Sequence, residues 1–131
     1  MSRYVHVTAP TLRSLEEVRA SLEAMGLTVE HGRRRVMLEG SIECAGEPVD
    51  LRLAAGTLDT VEDFGFVLES GRVELVCGEL DRELLEHDLL APMRAAINEG
   101  RVRQAADEAG LEVEEVQQTE GGRRLVLRRR S

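Results

Sequence analysis

At 131 residues, 42% hydrophobic and 32% charged, the chain has the size and composition of one globular domain with one modest core. A net charge of −8, two Phe, one Tyr and no Trp argue against nucleic-acid binding by broad electrostatic attraction or by base stacking. Every basic residue is Arg, which excludes Schiff-base chemistry and acylation on a lysine side chain.

The first predicted element is a short strand, Tyr4 to Val7, ended by Pro10. A helix follows in TLRSLEEVRASLEAMG. Ser14 with Glu17 three residues on forms a capping box, and Leu15, Val18, Leu22 and Met25 recur at helical spacing as one apolar face. Gly26 stops the helix, and Glu16, Arg19 and Glu23 make its solvated face. Leu27 and Val29 begin a strand that turns at HGR. Val36, Leu38, Ile42 and Cys44 then alternate with Arg35, Met37, Glu39 and Glu43. Gly40 falls on the apolar side and predicts a bulge or a close helix approach. After AGEP, Val49, Leu51 and Leu53 alternate with Asp50 and Arg52, which completes a three-strand antiparallel meander.

AAGTLDTVED reads as a loop with a helical turn. Phe64, Phe66 and Leu68 form the next strand, Ser70-Gly71 the turn, and Val73, Leu75 and Cys77 its partner. From Asp81 to Ala109 the pattern is helical, with Asp81 as cap and Leu85, Leu89, Met93 and Ile97 as the buried stripe. Pro92 and Gly100 interrupt it, predicting a kink or two helices in series. Leu111 and Val113 open a last hairpin, turned by EGG and closed by Leu125 and Leu127.

The element order, the DFGF phrase, the GRVEL strand and the terminal QQTEGGRRLVLRR hairpin resemble, over nearly the whole chain, the family called hypothetical chloroplast reading frame thirty-five, of algal plastids, cyanobacteria and other bacteria. That family's long helix tends to carry Tyr and His where this chain has AAINEGRVRQ, so nothing tied to those aromatics carries over. The family brings no established activity, cofactor or catalytic residue. The resemblance implies a small accessory protein, with an ATPase as partner.

Catalytic spacings are missing. His6, His31 and His87 are scattered. His87 and Glu83 are a helical i,i+4 pair, commoner as a surface pair than as metal ligands. Cys44 and Cys77 fall on apolar strand faces and read as buried, inert thiols. There is no GxSxG elbow and no glycine-rich nucleotide loop, so neither a metal, a cofactor nor an enzymatic activity is expected.

Arginine supplies the remaining candidates. Arg33, Arg34 and Arg35, then Arg123 and Arg124, then Arg128 with Arg129 and Arg130, lie at or beside strand ends. If the middle and last hairpins face each other, these form one rim for anions or an acidic partner, since guanidinium forks suit carboxylate and phosphate. The competing use is to solubilise edges and answer the Glu-rich helices. Acidic stretches around EGSIECAGE and ELDRELLEHD provide an opposite face suited to self-association or to docking.

The expectation is therefore an α+β two-layer domain over residues 1–131. A mostly antiparallel sheet of about six to eight strands carries two or three helices on one face, with a parallel pair between the first strand and the strand after the first helix. Its expected role is non-enzymatic, through protein contacts, as a partner-bound protein or a homodimer. An RNA- or phosphate-binding module is the alternative and a small-molecule-binding domain the third reading. MSRYVHVTAP has no apolar signal segment, and no run reaches the roughly 18 apolar residues of a membrane span, so a cytoplasmic location away from membranes is expected.

Overall fold

The structure is a computed structural model in which residues 3–40, 46–120 and 122–129 are described. Its elements in chain order are β1 (Tyr4–Thr8), α1 (Leu15–Ala24), β2 (Val36–Met37), β3 (Pro48–Val49), β4 (Leu51–Leu53), β5 (Phe64–Glu69), β6 (Arg72–Gly78), α2 (Arg82–Leu85), a π turn (Glu86–Leu90), α3 (Ala91–Glu108), β7 (Leu111–Thr119) and β8 (Gly122–Arg129). The class is α+β: a four-stranded antiparallel sheet in the order β1-β6-β5-β4, with β2–β3 and β7–β8 as separate antiparallel ribbons.

Period-two patterning assigns the two sheet faces. Phe64 and Phe66 of β5, Val73, Leu75 and Cys77 of β6, and Leu51 and Leu53 of β4 pack against Val18 and Leu22 of α1. Leu85, Leu89, Met93 and Ile97 of the second helical stretch join the same core. On the other face, Tyr4, Val67 and Val76 meet Leu38 and Val49, so a small second core sits where the β2–β3 segment covers the sheet.

Several local expectations hold. Ser14 Oγ accepts the Glu17 amide at 3.1 Å, while the returning Glu17 carboxylate takes the Arg13 amide at 3.2 Å. Ser70 and Gly71 both have positive φ, at 50° and 76°, which suits the twist of a two-residue hairpin between β5 and β6. Gly65 lets strands approach: a Cβ there would lie 2.1 Å from the Leu51 carbonyl oxygen.

Other expectations are corrected. β1 pairs antiparallel with β6, because the edge of β6 is taken by the N-terminal strand, so there is no parallel pair with the strand after α1. The predicted meander forms only in part: β2 pairs antiparallel with β3 as expected, but β4, the rest of the third predicted strand, pairs with β5 instead. Leu27 and Val29 pack on the core without a strand, and only an isolated bridge joins Glu30 to Arg52. The expected positions Ile42 and Cys44 lie outside the described residues. Gly40, next to the segment outside the described residues, has φ 68°, and its amide donates to Asp63 at 3.3 Å. Met25, expected on the buried face of α1, is 38% exposed, since it follows the last helical turn.

The long helical stretch changes its hydrogen bonding ahead of Pro92. Proline has no amide hydrogen for the carbonyl four residues back, and the preceding turn widens to a π turn over Glu86–Leu90. Gly100, by contrast, causes no break: α3 continues through it to Glu108. No helix among the described residues is long and apolar enough to cross a membrane.

Candidate functional site

The six candidate arginines divide by partner. Arg35, just before β2, donates to Asp50 Oδ1 at 3.3 Å, to Glu69 Oε1 at 2.9 Å and to the Leu68 carbonyl at 3.0 Å. The hydrogen bond to Glu69, with the Asp50 charge, raises its pKa above the ordinary arginine value. Arg123 of β8 pairs with Glu99 of α3 at 2.9 Å. Arg128 pairs with Glu112 across the terminal hairpin, and that contact raises its pKa as well. Arg33, Arg34 and Arg124 have no ion pair among the described residues.

The two groups do not share a cavity. Arg33, Arg34 and Arg35 line a cleft of about 290 Å³ with Arg19 and Glu16 of α1 and with His31. Arg123 lines a different groove, of about 550 Å³, between α3 and β8. Arg19 and His31 are members of the first group that strand-end reasoning missed; Arg19 comes from the helix, and no periodicity links it to a loop beyond that helix.

The groove follows from how the last hairpin folds. Alternation along β8 places Leu125 and Leu127 opposite Val116 and Val113 of β7 on one face. That face turns toward α3, since Arg123, on the same side, reaches Glu99. Arg124, Val126 and Arg128 occupy the outer face. The contact with α3 is incomplete: no described residue of either strand is fully buried, and Val116 and Leu127 are each 37% exposed. Pro92, Ala95, Ala96 and Val102 form the helix wall of the groove, and Gly122, Arg123 and Leu125 the strand wall. No residue of β7 lines it, so it lies on the β8 side of the hairpin.

A buried polar hub lies where the chain at Glu39 and Gly40 covers the sheet. Asp63, 3% exposed, accepts from the Tyr4 hydroxyl, the Glu39 amide at 2.6 Å, the Gly40 amide and Arg52 Nε at 2.9 Å. Burial opposes its charge, but the Tyr4 hydroxyl, the two amides and Arg52 outweigh burial and hold its pKa below the usual carboxylate range. Arg52, expected to face solvent, is 8% exposed: its side of the sheet is covered by the chain at Glu39 and Gly40, which also supply donors to Asp63. It binds Glu30 at 2.7 Å, and these contacts overcome desolvation to raise its pKa. Among the described residues no fully buried side-chain nitrogen or oxygen lacks a hydrogen-bond partner, so the hub stabilises the fold; Arg52 and Asp63 also line a cavity of about 450 Å³ with Glu39 and Glu62.

Asp81 is a second buried carboxylate. It does not cap a helix as expected; it accepts the Val61 and Glu62 amides, both at 2.9 Å, and pins the loop before β5. Cys77 is buried, and desolvation, with the charge of Asp81 adding to it, pushes its pKa up to about 12. His87 contacts Asp88 at 2.7 Å. No cluster of three or more His, Cys, Asp or Glu suited to a metal ion forms among the described residues.

No protein-family model, curated protein or solved structure matches the chain.

Proposed function

We propose that this is a non-enzymatic accessory protein that works through contacts with another protein, using the unit formed by α3 and the β7–β8 hairpin. The carrying observation is the hairpin itself. Among the described residues it is the longest strand pair, belongs to no larger sheet, buries no residue fully and leaves Val102, Val116 and Leu127 exposed beside a groove. An isolated hairpin of this kind is marginal in water and gains stability from a covering surface. The family resemblance supports the same role and implies an ATPase as the partner.

The test exploits the absence of lysine, which leaves amine-reactive cross-linkers no side chain to attack. A photoreactive amino acid at Val102 or Leu127 is irradiated in cells and the adducts identified. One protein captured at these positions and not at the opposite end of the molecule, in nuclease-treated extract, supports the reading. Turnover of a metabolite by the purified protein, with no protein adduct, overturns it.

A second reading rests on one observation: Arg33 and Arg34, free of ion pairs among the described residues, stand beside Arg19 and His31 around the smaller cleft. That arrangement suits a phosphate or RNA backbone. It is the weaker of the two because Glu16, Asp50, Glu23 and Glu69 oppose the local positive charge.

A further inference from the structure

We infer that the free edge of β8 accepts an extended acidic segment of a partner protein, which adds as a third strand and lays its apolar side chains into the groove against α3. This rests on the protein-contact reading above and specifies its chemistry. Three independent features converge on it.

The first is the backbone. β8 pairs with β7 on one side only, and no described strand meets its other edge. A strand edge exposes a row of unpaired amides and carbonyls that an extended chain can satisfy. The second is shape. The groove of about 550 Å³ lies between β8, on its side away from β7, and the Ala95, Ala96 and Val102 side of α3. Small residues on the helix leave room for side chains from an added strand, and alternate residues of such a strand point the same way.

The third is charge. Four of the eight β8 residues are Arg: Arg123, Arg124, Arg128 and Arg129. Arg123 and Arg128 are answered by Glu99 and Glu112, but Arg124 and Arg129 have no ion pair among the described residues. Arg124 and Arg128 share the outer face. A segment with apolar residues on one side and carboxylates on the other therefore matches both faces at once: apolar side chains toward α3, carboxylates beside Arg124 and Arg128. Opposite charges on adjacent strands stabilise pairing, and like charges oppose it. The same rule disfavours a twofold β8-to-β8 dimer, which sets Arg rows against each other.

The experiment uses the full chain and three blocked seven-residue peptides: alternating Glu and Val, alternating Lys and Val, and the Glu/Val peptide N-methylated at alternate residues. Binding is followed by fluorescence anisotropy, and amide exchange of β8 by NMR. The Glu/Val peptide is expected to bind and to slow exchange at the β8 amides that point away from β7. The Lys/Val and N-methylated peptides should bind at least tenfold more weakly, since one reverses the charge and the other removes backbone donors. Ala95→Gln with Ala96→Gln fills the groove from an exposed helix face, and Arg124→Glu with Arg128→Gln removes the positive charge of the outer face; each pair should lower affinity at least tenfold with the circular dichroism spectrum unchanged.

No binding of the Glu/Val peptide at millimolar concentration overturns strand addition, as does equal binding of the N-methylated form or protection centred on the Arg33–Arg34 cleft. So does a concentration-dependent dimer whose β8 amides are already protected without peptide. A partner cross-linked at Val102 or Leu127 that is still captured by both double variants also overturns strand addition, yet leaves the protein-contact reading standing. Absence of any captured partner removes that broader reading whatever the peptides do.

Discussion

Arg52 donates through Nε to Asp63 at 2.9 Å with both side chains withdrawn from water, joining the strand β4 to the residue that opens β5. The pair is not isolated. Asp63 also takes two amides from the chain at Glu39 and Gly40 and the hydroxyl of Tyr4, so one carboxylate ties together β1, β4, β5 and the covering segment. Removing one partner of a buried pair leaves an uncompensated charge, at a cost of about 3–5 kcal/mol. Asp63→Ala should therefore lower the urea midpoint strongly, whereas Tyr4→Phe, which deletes one hydrogen bond, should cost only about 1–2 kcal/mol. Equal, small losses in both variants would contradict the hub.

The same carboxylate sets an acid limb of stability. Its folded pKa lies below its unfolded value, which is about 3.9 for a free Asp. The unfolded chain therefore takes up the proton first as pH falls. The contribution of Asp63 is complete above the unfolded value and is lost as pH drops through the folded one. Denaturant titrations at successive pH values should show a shallower acid decline in Asp63→Asn than in the wild type. An unchanged slope would assign the acid limb to other groups.

Gly65 sits where β5 passes closest to β4. An added methyl would meet the Leu51 carbonyl at 2.1 Å and the Val49 Cγ2 at 2.9 Å, neither at the end of a flexible side chain. Gly65→Ala should destabilise by about 1–3 kcal/mol or more, since the strands must part to admit it. Gly100→Ala, in the exposed middle of α3 with open space around its Cβ, should instead stabilise by roughly 0.5–1 kcal/mol. Thermal melts of the two variants should move in opposite directions.

The thiol of Cys77 should resist alkylation at neutral pH, because burial hides it and its raised pKa keeps it protonated. In the unfolded chain it ionises near about 8.5. Its contribution is thus full below that pH and is lost as pH climbs toward the folded value of about 12. Cys77→Ala should cost about 1–2 kcal/mol as a small core truncation. Rapid reaction with iodoacetamide in the native protein would point to an opened, activated thiolate.

Arg33→Ser with Arg34→Ser should shift stability by no more than about 0.5 kcal/mol, since neither side chain forms an ion pair among the described residues. Filter binding of a short RNA at near-physiological salt separates the two readings of these residues. Sub-micromolar binding that vanishes in the double variant would favour the phosphate site; no wild-type binding leaves them as edge charges.

How far the sequence reached can be traced residue by residue. The cap at Ser14, the Phe64–Cys77 hairpin and the buried stripe from Leu85 to Ile97 were legible because each depends on spacing within one segment. The same local logic failed at Arg52 and Asp81. Alternation assigned Arg52 to the outer side of its strand, which is correct, but could not show that the chain at Glu39 and Gly40 covers that side. Asp81 precedes a helix and resembles a cap, yet its acceptors are used by amides far back in the chain, at Val61 and Glu62.

The sequence by itself determined the class, the positions of β1, α1, the β5–β6 hairpin, the long helical stretch and the last hairpin, and which side of each is apolar, because periodicity records a residue's own neighbours along one element. Only the tertiary structure decided that β1 takes the edge of β6, that β2 and β3 leave the main sheet, and that the arginines divide between a cleft beside α1 and an open strand edge beside α3. Those outcomes turn on which distant strand satisfies each backbone edge and which distant carboxylate reaches each guanidinium. Such contacts between separated segments leave no period in the chain that carries them.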